Sequence, residues 1–345
     1  MRSKKKVVVK KKRMVVAIIV ALLILALIAG LGIFVLGKTK KEKPKEEPPK
    51  KQGLMNPLTG LEVTSLPNRA FMLSTGNDNK SARPQSGLES ADLIYEVPIE
   101  GGGSRLEPIY YSKVPGKCGS VRSARPYIID LAREYGAVLV HNGESTQATE
   151  YFKKGVMDHI AAAEYWDIFW RSEDRKIPDN CYTDGEKVWT QIKALDMDKE
   201  KKPRTFPFLK GKPDSALPEA TEIDVNYVSA SNHYVYNPET KLYARSLYGE
   251  PFIDKETGNQ LNVANVIVQT VTIDRVDEAQ RLFLAMTKGG ECAVFTQGKV
   301  IEGTWTKEDE EAPTIFKDKN GKEIELTPGV TFIQLIDYTV KFAYQ

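Results

Sequence analysis

Histidine and cysteine are both scarce, with three of each in 345 residues. None of their spacings matches a zinc-ligand set, so no metal and no cofactor are expected. His141 can be placed beside Ser123 or Ser145 on paper, but no nucleophile elbow surrounds either serine, and a hydrolase triad is a weak signal. No cysteine lies near the end of the N-terminal apolar run, which excludes lipid attachment there. A basic surface is also missing from most of the chain. Residues 1–50 hold 14 basic and 3 acidic residues, leaving 35 and 43 for residues 51–345, a net of −8 beneath the formal +3 of the whole. Nucleic acid is therefore not an expected partner.

What is present begins with an anchor. Eight Lys and Arg fall within residues 1–13, and residues 14–36 then carry no charge. As a helix those 23 residues rise about 34 Å, enough for a bilayer core of about 30 Å. A cleaved signal peptide would have a shorter apolar core, about 7–15 residues, and a small-residue site after it. The sequence predicts an uncleaved, single-pass anchor with residues 1–13 cytoplasmic and the bulk of the chain extracytoplasmic. Residues 37–55, charged and bearing prolines, read as a solvated spacer.

Beyond the spacer the expected fold class is α+β, in two parts. Residues 56–215 mix signals. Strands are expected at 93–97 and 109–111, joined around Gly101, Gly102 and Gly103, and a buried strand at 137–140. Helices are expected at 146–154 and at 125–135, the latter with Ser123 as its cap and Gly136 as its stop. Residues 210–218, rich in Pro, Gly and Asp, read as a boundary. Residues 216–345 then read as a β domain with short strands separated by turns.

The motif-bearing stretches are 56–60 (NPLTG), 82–88 (ARPQSGL), 91–96 (ADLIYE), 100–102 (EGG), 121–127 (VRSARPY), 180–183 (NCYT) and 265–269 (NVIVQ). Together they resemble the YerB-like lipoprotein family, a domain of unknown function, across both outer parts. The resemblance implies a location on the outer face of a Gram-positive membrane and implies no reaction. Two departures matter. Members are often lipid-attached through an N-terminal cysteine, where this chain has an apolar helix. The family's Ile-Asp-Asn also gives way to Leu73, Ser74, Thr75, Gly76 and Asn77, so no mechanism is built on that strand. Cys118 and Cys181 stand where relatives carry apolar residues, and in an oxidising compartment the pair suggests a disulfide, provided their Cα atoms lie within reach.

Arg122 and Arg125 near a helix N-terminus oppose the helix dipole, which makes sense if an anion docks there. That anion is either a ligand group or an internal carboxylate, with Asp92, Glu96 and Glu100 as candidates. Along an extended strand Glu96 and Glu100 stand about 13 Å apart, too far for a glycosidase pair. Glu100, beside three glycines, is the preferred single acid/base, with Glu96 second. The wider ligand-binding set is Arg83, Asp92, Arg105, Ser120, Arg122, Ser123, Arg125, His141, Asn142, Ser145, Arg171 and Asn180. Ser145 has an alternative role as a helix cap, and Arg171 and Asn180 sit in a segment with Trp166 and Trp170 that suits a sugar polymer. Three functions follow: a module binding an anionic or glycan envelope polymer or an envelope protein, a peptidoglycan-cleaving enzyme, or a scaffold whose polar motifs pair internally.

Overall fold

The computed structural model describes residues 14–28, 53–227, 230–278 and 280–345. Residues 14–28 form one exposed helix. Its 15 residues rise about 22 Å, and among the described residues no helix is long and apolar enough to cross a membrane. The predicted 23-residue span is therefore not shown: residues 29–36, like 1–13 and the spacer to residue 52, lie outside the described residues.

Gly53–Gln345 is a compact unit by itself, mixed α+β with mostly β content. Its spine is a mixed sheet in the order Ile315–Asp318, Lys299–Lys307, Lys288–Thr296, Asn265–Val271, Thr331–Asp337, Leu93–Pro98, Ser104–Tyr110, Phe71–Leu73, Val138–His141 and His159–Ala161. The sequence boundary near residue 215 falls in an irregular stretch, yet both sides feed this one sheet. Thr331–Asp337 lies parallel to Leu93–Pro98, with Phe332 beside Ile94 and Gln334 beside Glu96.

Strand alternation sends each face to a different core. Leu93, Tyr95, Val97 and Ile109 pack with helix α1 (Pro126–Glu134). Ile94, Leu106, Phe332 and Val266 pack against a second sheet built from Glu222–Tyr227, Ala230–Asn237, Leu242–Leu247 and shorter strands. Two further helices are α2 (Thr146–Lys153) and α3 (Gly185–Ala194).

Helix α1 begins later than the sequence suggests. Its cap position is Arg125 and not Ser123, and Pro126 is the first helical residue. Proline suits that position because its missing N–H has no helical partner there, and it pushes the residue before it out of the helical region. Arg125 is accordingly extended, at φ −135° and ψ 155°. Gly136, at φ 58°, supplies the expected stop. At α2 the modest reading of Ser145 holds, since its hydroxyl accepts the Ala148 N–H at 3.2 Å. Ser145→Ala is expected to cost about 1 kcal/mol, read as a lower midpoint in urea with unchanged slope.

Candidate functional site

The Gly-rich connection and the start of α1 meet. Leu93–Pro98 and Ser104–Tyr110 are joined by a tight turn at Glu100–Gly102, in which Gly101 and Gly102 take φ of 80° and 81°. That left-handed region is nearly free to glycine and costly to others. The turn swings Glu100 onto Arg125, whose Nε and Nη2 donate to its two carboxylate oxygens at 3.2–3.3 Å. The two side chains are 21% and 17% exposed. Burial alone would raise the Glu100 carboxyl, but the Arg125 hydrogen bond and charge outweigh it and hold the group below its usual range. Glu100 is thus ionised at neutral pH and held against Arg125. The internal carboxylate that balances Arg125 is Glu100 itself.

Beneath this pair lies a buried polar layer. Arg105 donates to the Ser123 carbonyl while its Nε has no partner. Burial, and then the charge of Arg125, lower it to about 10, so it stays charged. Glu107, two residues along the same strand face, accepts from Ser74 at 3.2 Å through one oxygen and leaves the other unpartnered. Burial raises its pKa well above the usual carboxylate value against the pull of Arg105. The buried Tyr127 hydroxyl is also unpartnered.

The remaining predicted residues scatter. Arg122 bridges Asp78 at 2.8 Å and Asp179 at 3.1 Å, closing the 77–83 loop onto the 171–180 segment. In that segment Arg171 donates to Asn180 at 2.9 Å and lies over the Trp166 ring. The Asn142 N–H reaches the Arg122 carbonyl at 2.9 Å, and the Asn142 carbonyl accepts the Ser123 hydroxyl at 3.2 Å. Buried His141 is held between the Gly143 carbonyl at 2.8 Å and His159 at 2.9 Å, with Phe152 stacked on its ring. The Ser120 hydroxyl is buried without a partner. Arg83 donates to the Asn77 carbonyl at 2.9 Å and faces Tyr248.

Three expectations are corrected. Glu96 is fully buried and paired with Arg245 at 3.0 Å, with Asn77 and Ser104 also donating to it, so it meets no substrate. Asp92 binds Asn56, the Tyr111 N–H and both donors of Ser112 at the far end of its strand, and is a structural clamp. Cys118 and Cys181 are free buried thiols. Cys118 pairs across the ladder with Thr183, so Cys181 stands two positions away from the directly opposed site. Among the described residues no three His, Cys, Asp or Glu side chains converge as a metal site requires.

Two hollows are lined by chain neighbours of Glu100 and Arg125, though by neither residue itself. One, of about 310 Å³, is lined by Ile99, Gly101, Gly102, Gly103, Arg275 and Asp337 among others. The other, of about 170 Å³, is lined by Pro126, Tyr127, Asp130, Gln147 and Phe283 among others. Leu282 borders both. It belongs to a hairpin, Ile273–Arg275 with Leu282–Leu284, whose Phe283 is 53% exposed. Arg275 and Asp337 escaped the sequence reading because neither falls inside a motif.

Comparison with known proteins agrees with this architecture. Residues 58–198 match the N-terminal domain, and residues 223–333 the C-terminal domain, of a protein family of unknown function, DUF3048. The chain is 30% identical over 288 residues to the protein named "Putative lipoprotein YerB" of Bacillus subtilis (strain 168), covering 82% of this chain and 86% of that protein. The crystal structure of the YerB protein from Bacillus subtilis superposes with a TM-score of 0.76 at 27% identity, covering 84% of this chain and 99% of that one. With both halves matched and the fold shared, the chain belongs to the DUF3048 family.

Proposed function

We propose that the protein is a membrane-held, extracytoplasmic envelope module that binds an anionic envelope polymer and does not cleave it. The observation that carries this is the partly exposed Glu100–Arg125 pair, with one hollow lined by the adjoining Gly101–Gly103 turn and another by Pro126 and Tyr127 of α1. A phosphate or carboxylate on the ligand competes with Glu100 for Arg125 at the start of α1, where the helix dipole adds a modest attraction. Exposed Arg275 borders the neighbouring hollow as a second cation with no ion-pair partner among the described residues. A Cβ at Gly101 would meet no atom, so a chain can approach the backbone closely there. Ile99, Leu282 and Val340 offer apolar surface for sugar or glycerol faces.

Location is supported by the unbroken apolar run over 14–36 with its basic flank. The name of the Bacillus relative points to the same membrane surface by a different attachment. Cleavage with Glu100 or Glu96 as acid/base is disfavoured, because one is ionised against Arg125 and the other is sealed inside. Arg122, Arg171 and Asn180 fit the scaffold reading instead, since they pair internally.

The test is co-sedimentation of residues 53–345 with purified walls, before and after chemical removal of their phosphate polymers. Pelleting should vanish from stripped walls, weaken with added salt, and weaken about tenfold in Arg125→Gln and Arg275→Gln, each losing one charge-assisted contact. Equal pelleting with stripped walls, or indifference to both substitutions, removes the proposal.

A further inference from the structure

A separate hollow of about 560 Å³ lies where the 80–84 loop meets the hairpin of the second sheet, lined by Leu247, Tyr248, Phe252 and Ile253 among others. Its size is that of a small-molecule site. The lining is apolar, but Lys80 and Arg83 also border it. Neither cation has a carboxylate within ion-pair distance among the described residues, whereas Arg69, Arg122, Arg125 and Arg245 all do. Glu250 borders the hollow as well, leaving two cations against one carboxylate.

The backbone supplies an independent sign. Ser246 pairs with Pro251 and Leu247 with Glu250, so Tyr248 and Gly249 form a two-residue hairpin turn. Both take positive φ, 55° and 79°. Such a turn favours Asn, Asp or Gly at its first position, and a bulky residue there is strained. Tyr248 accepts that strain while remaining 52% exposed, with no buried packing to compensate. What its ring does instead is receive the Arg83 guanidinium, 5.2 Å from its centroid. Strain kept at a cavity rim points toward a ligand.

The geometry points to a binding site for an amphiphilic organic anion, an acyl or aryl carboxylate whose head meets Arg83 and Lys80 and whose apolar body fills the hollow over Phe252. An extended peptide fits less well. The adjoining sheet edge is the two-residue strand Glu250–Pro251, and proline has no N–H to offer an added strand. This site is independent of the groove at Glu100 and Arg125.

Calorimetric titration of residues 53–345 with dodecanoate, dodecyltrimethylammonium and a tripeptide ending in leucine tests the assignment. Dodecanoate should bind one to one, and the cationic amphiphile about tenfold more weakly, the worth of one charge-assisted contact. Arg83→Gln should weaken dodecanoate by a similar factor. Tyr248→Gly should also weaken it while the melting temperature stays level or rises, because glycine relieves the strained φ. That combination separates a ligand contact from a structural one. Equal affinity for the two amphiphiles, dodecanoate binding unmoved by both substitutions, or tighter binding of the tripeptide would each overturn the proposal.

Discussion

Arg245→Met is expected to remove about 3–5 kcal/mol of stability, because it strands a buried carboxylate. Strand alternation explains why. Along Leu242–Leu247 the inward positions are Tyr243, Arg245 and Leu247, and along Ala230–Asn237 they include Asn232. Glu96 projects from the facing sheet. Arg245 therefore meets Glu96 at 3.0 Å and Asn232 at 2.6 Å, wholly out of water. The guanidinium lies 3.8 Å from the Phe252 ring centroid and 5.0 Å from that of Phe332. Losing Arg245 leaves the buried Glu96 carboxyl with only the Asn77 and Ser104 donors. The melting temperature should fall on the order of 10 °C. Glu96→Gln alone should also destabilise, by leaving the cation unpaired, and the double variant should be less damaged than the two singles summed. Strict additivity would mean that Arg245 and Glu96 are not coupled.

That pair also marks where reading the sequence stops. Elements set by local rules were legible: the strand at Leu93–Pro98, the buried strand at Val138–His141, the helix opened by Ser145 and the stop at Gly136. Each is dictated by nearby apolar alternation, a cap or a glycine. The strand Ser104–Tyr110 was found only at its apolar end, because Arg105, Glu107 and Pro108 interrupt the apolar run expected of a strand buried on both faces. The meeting of the two halves was invisible, since Thr331–Asp337 beside Leu93–Pro98 joins segments more than 200 residues apart. For the site, the chemistry around Arg125 was anticipated as an anion facing a helix start. Which of Asp92, Glu96 and Glu100 supplied it depended on the glycine turn and on Arg245, 149 residues from Glu96. Arg83 was singled out by its motif, but Tyr248, its partner across the hollow, carries no signal beyond a tyrosine before a glycine.

Acid should reveal two buried groups that oppose one another. His141 is buried, and desolvation lowers it to about 4, with the neighbouring His159 charge adding to the effect and the Gly143 hydrogen bond resisting it. Its ordinary value is about 6.5. The unfolded chain therefore takes up a proton first as pH falls, and stability present above pH 6.5 is lost toward pH 4, by about 3 kcal/mol at most. Asp130, at the rim of the smaller hollow, runs the other way. Burial raises it to about 6, against the pull of Arg133, so the folded state binds its proton first. Stability present below the ordinary aspartate value is then lost as pH rises through 6. Buried Glu107 adds in the same sense as Asp130. The two windows overlap between about pH 4 and 6, so the parent protein should show a shallow profile there. His141→Asn should expose the Asp130 slope, with a melting temperature that rises on acidification from pH 6.5 to 4. Asp130→Asn should expose the His141 slope, falling more steeply than the parent over the same range while gaining stability at pH 7. Thermal melts at half-unit pH steps decide it: profiles that keep the parent's slope in both variants would show that neither group is buried as the fold places it.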